Sequence, residues 1–260
     1  MHGEIIRQLT PEEEELRRKR DELGSIRSVL AERELELADL RTTLKSFEGR
    51  YLRQVGVLYA QLDDWDAKVA ELEARLENSS SSRSRAEQAR KRAEQTREAT
   101  HGEASKAHDF KPSADIRSLF RKAAKQFHPD FAKDSTDERR RAGLFMQAKA
   151  AFEQGDSEAL QRLLDEDQIS SDSIPGEDIG AELVRIIRQI AQVRKHIVSI
   201  ENDLAALRAT EFAKLEQDVS LADHQGRDLL AELAANLAEQ LTRARKEYEA
   251  LSEEAKRRGR

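Results

Sequence analysis

Cysteine is absent from the chain, which excludes disulfides, thiolate metal sites and a cysteine nucleophile, and fits a reducing compartment. Glycine and proline are scarce, at 11 and 4 of 260 residues, so turns are few. No apolar run approaches the roughly 20 residues that span a bilayer. The best, Leu183 to Ala191, is broken by Arg185 and Arg188. Met1 to Thr10 lacks the apolar centre of a signal peptide. An excess of positive charge is missing too: the net charge of -6 gives no electrostatic case for general nucleic-acid binding. Paired carboxylates occur throughout, so none marks a catalytic site. These absences lead to the expectation of a cytoplasmic protein that is not an enzyme, needs no cofactor and has no membrane partner.

What is present is charge and helix-forming residues. Charged residues make up 37% of the chain, against about 25% in ordinary domains, and Leu, Ala, Glu and Arg dominate. An all-α protein follows, with too little apolar surface for one thick core. Thr10-Pro11-Glu12-Glu13 announces a helix: an N-cap threonine, a proline in the first turn and a glutamate three residues on. Apolar or aromatic residues then recur every seventh position at Leu9, Leu16, Leu23, Leu30, Leu37, Leu44, Tyr51, Leu58, Trp65 and Leu72, the spacing of a coiled-coil seam. The companion positions change phase. Ile26, Leu40 and Phe47 follow the column by three residues, whereas Val55, Leu62, Val69 and Leu76 follow it by four. Either a kink, break or change of partner between Gly49 and Gly56, or one continuous helix with a drifting stripe, is expected.

This reading divides the chain into an N-terminal coiled coil (1–78), a charged linker or solvated helix (79–109), a central helical module (110–168), a second linker (169–178) and a C-terminal coiled-coil hairpin (179–260). In the last part, Leu183/Ile186, Ile190/Val193, Ile197/Ile200 and Leu204/Leu207 form seam pairs. Phe212, Leu215 and Val219 continue the face on a shifted phase, in a helix expected to run to about Ser220. Asp223 to Gly226 turns the chain, and Leu230, Leu233, Leu237, Leu241, Tyr248 and Leu251 lie on a returning helix.

The central module carries the functional signal. Ile116, Leu119, Phe120, Ala123 and Phe127 share one helical face, while Arg117, Arg121 and Lys125, spaced four apart, and the adjacent Lys122 form a cationic face without an acid between Ile116 and Phe127. Pro129 cannot continue the helix and disfavours helical geometry at His128, so the chain turns there. Ser135 to Glu138 reads as a capping box opening a second helix, whose Leu144, Phe145, Ala148, Ala151 and Phe152 can face the first. Gly155 ends it, and Asp156 starts a short helix through Ala159, Leu160, Leu163 and Leu164.

A cationic helix, a His128-Pro129-Asp130 corner and an aromatic-lined second helix together resemble the J domain of DnaJ-type co-chaperones, over about a fifth of the chain. The resemblance implies a partner, a DnaK-type chaperone ATPase, docked through His128, Pro129, Asp130, Arg117, Arg121, Lys122 and Lys125 and stimulated in its ATP hydrolysis. The chemistry would belong to that partner. The coiled coils would dimerise the protein or bind a client or scaffold protein; the alternative is a structural coiled-coil scaffold with a J-like joint. Two departures stand out. The family's usual first helix has no equivalent, so Phe110, the helix after Gly155 or a coiled coil must cover the two-helix core. The position after the tripeptide, commonly basic in the family, is Phe131. No metal is expected, because His128 and Asp130 have no third ligand nearby in the sequence.

Overall fold

The computed structural model describes residues 10–104, 110–168 and 178–259. Most of the linker expected at 169–178 and the extreme N-terminus with Leu9 lie outside them. The described residues are all-α, and no helix among them is long and apolar enough to cross a membrane. The chain divides into two compact units, one comprising the described residues of 1–42 and 110–210, the other those of 43–109 and 211–260.

Helix α1 (Pro11–Tyr51) starts as its sequence dictates. The Glu13 amide donates to Thr10 Oγ1 at 3.2 Å, and the Thr10 amide donates back to Glu13 Oε2 at 2.8 Å, satisfying two amides that the helix leaves without partners. Its N-terminal part belongs to the first unit with α4 (Ala114–Phe127), α5 (Ser135–Gln154), α6 (Ser157–Gln168) and α7 (Ile179–Arg208). Leu16, Leu23, Leu30 and Leu37 of α1 are buried with Ile186, Ile190, Val193, Ile200 and Leu204 of α7. Each such side chain contributes roughly 1.5–3 kcal/mol by leaving water. Flanking ion pairs join Arg20 to Glu182, Arg33 to Glu201 and Arg208 to Glu36. The two residue numbers of these pairs rise together, so α1 and α7 run in the same direction.

The expected hairpin of 179–260 is therefore divided. Helix α7 packs on α1 and stops at Arg208, short of Ser220; α8 (Glu211–His224) begins after Thr210, whose hydroxyl donates to the Leu207 carbonyl at 2.8 Å. The phase shift at Phe212 marks that break in the sequence.

Around α4 and α5 lies the other core of this unit: Ile116, Phe120, Ala123, Ala124, Phe127, Phe145, Ala148, Ala151, Phe152, Leu160 and Leu164, with Ala31 and Leu35 of α1. Phe120 meets Phe152 at 4.7 Å between ring centroids. Near the connecting turn Arg141 Nη1 donates to the Gln126 carbonyl at 2.5 Å, so α5 runs back along α4. Ser113 caps α4, accepting from the Ile116 amide. The cap of α5 falls one residue before the expected box: Asp134 accepts from the amides of Thr136 and Asp137 at 2.8 and 2.9 Å. The carboxylate reaching back is that of Asp137, which accepts from the Lys133 amide. Gly155 ends α5 with φ 74°, a left-handed conformation that glycine adopts without steric cost. All three candidates for covering the two-helix core do so: Phe110, α6 through Leu160 and Leu164, and α1 through Ala31 and Leu35.

In the second unit, residues Leu52–Gly56 form one π-helical turn. This turn absorbs an extra residue and rotates the apolar stripe, which accounts for the change of phase in the sequence. It leads into α2 (Val57–Glu77), against which α3 (Ser80–Ala104) folds back. Arg85 pairs with Glu77, Arg92 with Asp63 and Asp66, and Arg97 with Asp64. Of the stretch read as a linker or solvated helix (79–109), Ser80–Ala104 is thus a packed helix, with Ala86, Ala93 and Thr100, seven residues apart, buried, and 105–109 lie outside the described residues. Helix α9 (Leu229–Arg258) follows a turn in which Gly226 has φ 75°. It packs on α2, where Trp65 and Tyr248 meet edge to face at 5.6 Å. Phe47, Val55, Val219, Leu230 and Leu237 form this unit's core.

Candidate functional site

The corner after α4 is a short 3-10 turn, Pro129–Phe131. His128 is extended at φ -62°, ψ 129°, the geometry that the following proline favours. Its Nδ1 accepts from the Asp130 amide at 3.2 Å. That bond stiffens the turn and assigns the ring proton to Nε2 in neutral His128.

His128 is fully buried, against the expectation of an exposed docking corner. Its ring lies between Phe145, at 5.2 Å, and His196 of α7, at 4.9 Å. Its Nε2 faces Glu34 Oε1 of α1 at 3.5 Å. Glu34, only 3% exposed, meets Lys149 of α5 through its other oxygen at 3.0 Å. Asp130 is bound by His196 Nδ1 at 2.9 Å and by Gln192 Nε2 at 3.1 Å. Gln189 donates to the Ala132 carbonyl at 3.2 Å. Phe131 is buried among the leucines and isoleucines of α1 and α7, with the Arg27 guanidinium 4.3 Å from its ring centre. Phe131 is therefore the apolar anchor of the corner. Four elements, α1, the corner, α5 and α7, meet at this point.

The charges are coupled accordingly. Burial pushes the Glu34 carboxyl up, but the His128 ring and the Lys149 ammonium outweigh it and hold the carboxyl below its ordinary range. Asp130 is likewise lowered: burial opposes ionisation, and the bond from His196 with the nearby His128 overcomes it. His196 is raised by its bond to Asp130 against a smaller opposing effect of burial.

The cationic face of α4 is divided. Arg117 makes a two-pronged pair with Asp39 of α1 at 3.0 and 3.1 Å, and Arg121 pairs with Glu32. Lys122 and Lys125 remain exposed, lining a shallow groove with Gln126, Gln161, Leu164 and Asp165. Of the residues expected to bind a partner, His128 and Asp130 are engaged by other helices of the chain, Arg117 and Arg121 lie against α1, and Pro129 is half-buried.

Sequence reasoning missed Glu34, Lys149, Gln192 and His196. An acid in a chain so rich in them carries no signal. His196 did carry one: it lies three residues after Val193 and four before Ile200, in the register of α7's buried stripe. The premise that no third metal ligand is near His128 is also corrected, since Glu34, His128 and His196 bring one candidate ligand atom each within 4.8 Å of one another. No family model, no curated protein and no solved structure matches this chain.

Proposed function

We propose that this chain is a J-domain-type co-chaperone whose docking corner is held closed by its own helices α1 and α7, the ATP hydrolysis being carried out by a DnaK-type partner. The observation that carries the reading is the stiff His128-Pro129-Asp130 turn, joining a helix with exposed Lys122 and Lys125 to an antiparallel helix packed through Phe120, Phe145 and Phe152. Arg117, Arg121, His128 and Asp130 become available when α1 and α7 release them, and the paired long helices supply the coiled-coil surface for a client or scaffold. Docking then competes with closure, so affinity is reduced by the fraction of chains that are open.

The test is ATP turnover by a DnaK-type chaperone. The intact chain stimulates weakly. Phe131→Lys removes the apolar anchor and restores the cation common in the family, so it stimulates strongly; adding His128→Gln abolishes the gain. No stimulation by Phe131→Lys overturns the proposal.

A second reading has its own observation in favour: His128 is fully buried and Asp130 is bound by His196. It makes the corner a structural joint in a coiled-coil scaffold. On that reading, His128→Gln destabilises the fold and no variant stimulates the ATPase.

A further inference from the structure

We propose that Glu34, His128 and His196 form a binding site for one divalent transition-metal ion of the zinc type. The three candidate ligand atoms come from α1, the corner and α7. Glu34 Oε1 lies 3.5 Å from His128 Nε2 and 3.9 Å from His196 Nε2, and all three ligand atoms fall within 4.8 Å of one another. Ligand atoms around tetrahedral zinc are roughly 3.3 Å apart, given bonds of about 2.0–2.1 Å. A contraction of up to about 1.5 Å at the widest separation, from the 4.8 Å bound to roughly 3.3 Å, assembles the site.

Two further observations point to a ligand. His128 Nε2 is fully buried and has only Glu34 Oε1, 3.5 Å away and outside good hydrogen-bond geometry, before it; it faces the cluster. His196 binds Asp130 through Nδ1 at 2.9 Å, leaving Nε2 for the ion. A carboxylate on the far nitrogen of a histidine is the usual outer support of a metal-binding imidazole. Glu34 is divided in the same way, with Oε2 held by Lys149 and Oε1 facing the two rings. Two imidazoles and one carboxylate suit zinc better than magnesium or calcium, which prefer all-oxygen sites. Solvent supplies the fourth position, since His196 is 37% exposed at its side chain.

Neutral His128 carries its proton on Nε2 while Nδ1 accepts from the Asp130 amide. Metal at Nε2 requires that proton to move to Nδ1, which gives up its bond from the Asp130 amide and faces Asp130 Oδ2, 3.8 Å away, as the new acceptor. The Lys149 ammonium opposes the ion and limits its affinity. Binding does not depend on the co-chaperone reading; its consequence, a metal clamp on the closed corner, does rest on it.

The experiment titrates Zn2+ into the metal-stripped full chain by calorimetry and records the visible spectrum of the Co2+ form, with no chaperone present. One ion per chain and cobalt bands of tetrahedral intensity are expected. Asp130→Asn weakens binding by roughly 10–100-fold, the effect of losing an outer partner, and His196→Gln weakens it further. Lys149→Met tightens it, and His224→Gln, on an exposed residue of the other unit, leaves it unchanged. Circular dichroism verifies that His196→Gln keeps its helix content. Absence of stoichiometric binding by the intact chain, or binding that survives His196→Gln unaltered, overturns the site. ATPase stimulation is scored separately, so either proposal can fail alone.

Discussion

Phe131→Ala separates closure of the corner from folding of the helices that form it. The ring belongs to the α1 and α7 core, whereas Phe120, Phe127, Phe145 and Phe152 belong to the other. Truncating a buried phenylalanine costs about 3–5 kcal/mol from lost transfer energy and the cavity left behind. Arg27 also loses the ring it covers at 4.3 Å, an interaction of about 0.5–2 kcal/mol that overlaps the first figure. At 1.4 kcal/mol per tenfold, opening of the corner becomes more frequent by about two to three and a half orders of magnitude. Hydrogen exchange reads this directly. The amides of Asp130, Phe131 and Ala132, bonded to the His128 ring, the His128 carbonyl and the Pro129 carbonyl, exchange faster by that factor. Amides in the middle of α4 and α5 keep their protection. Equal acceleration in α4, α5 and the corner would refute the separation of the two cores; unchanged exchange at the corner would refute the role of Phe131 as its anchor.

Two further outcomes follow from particular geometries. Gly155→Ala places a methyl 2.5 Å from Phe110 Cε2 at φ 74°, so left-handed strain of about 1–2 kcal/mol adds to displacement of the ring. Urea unfolding followed through α4–α6 shifts to lower concentration, with a loss of unfolding free energy of at least that amount. Asp137, pushed up by partial burial but held down more strongly by Arg141, Arg140 and the Lys133 amide, has its pKa lowered to about 2. Because the folded value is depressed, its contribution of about 2 kcal/mol is fully present above the unfolded value near 3.9 and is lost as pH falls through about 2. The stability difference between the intact chain and Asp137→Asn, measured by urea unfolding, therefore shrinks between about pH 4 and pH 2. A difference that persists at pH 2 would refute the assignment.

The leucine column of α1 and the seam of α7 were legible because large apolar residues at regular intervals leave one mark, burial of one face. The change of phase near Val55 was legible as a disturbance, and the π-turn is its cause. What periodicity could not show was the partner: two seams of similar spacing satisfy one another in either direction, and only the flanking ion pairs reveal the parallel run. Helix α3 escaped because its buried face is built from Ala86, Ala93 and Thr100, side chains too small to register as apolar. The His128-Pro129-Asp130 corner was visible from proline's restraints and the amphipathic α4. Its environment was not, because Glu34 and His196 are brought to it from distant parts of the chain by packing of α1 and α7, which no local pattern records.

The parallel run of α1 and α7 also bears on how the protein emerges during synthesis. Arg20 and Glu182 are 162 positions apart, so at about 5–20 residues per second the leucine stripe of α1 waits roughly 8–30 s for its complement. For that interval the nascent chain displays an unsatisfied greasy ridge beside the ribosome, where a second nascent copy or a holding factor competes with the native partner.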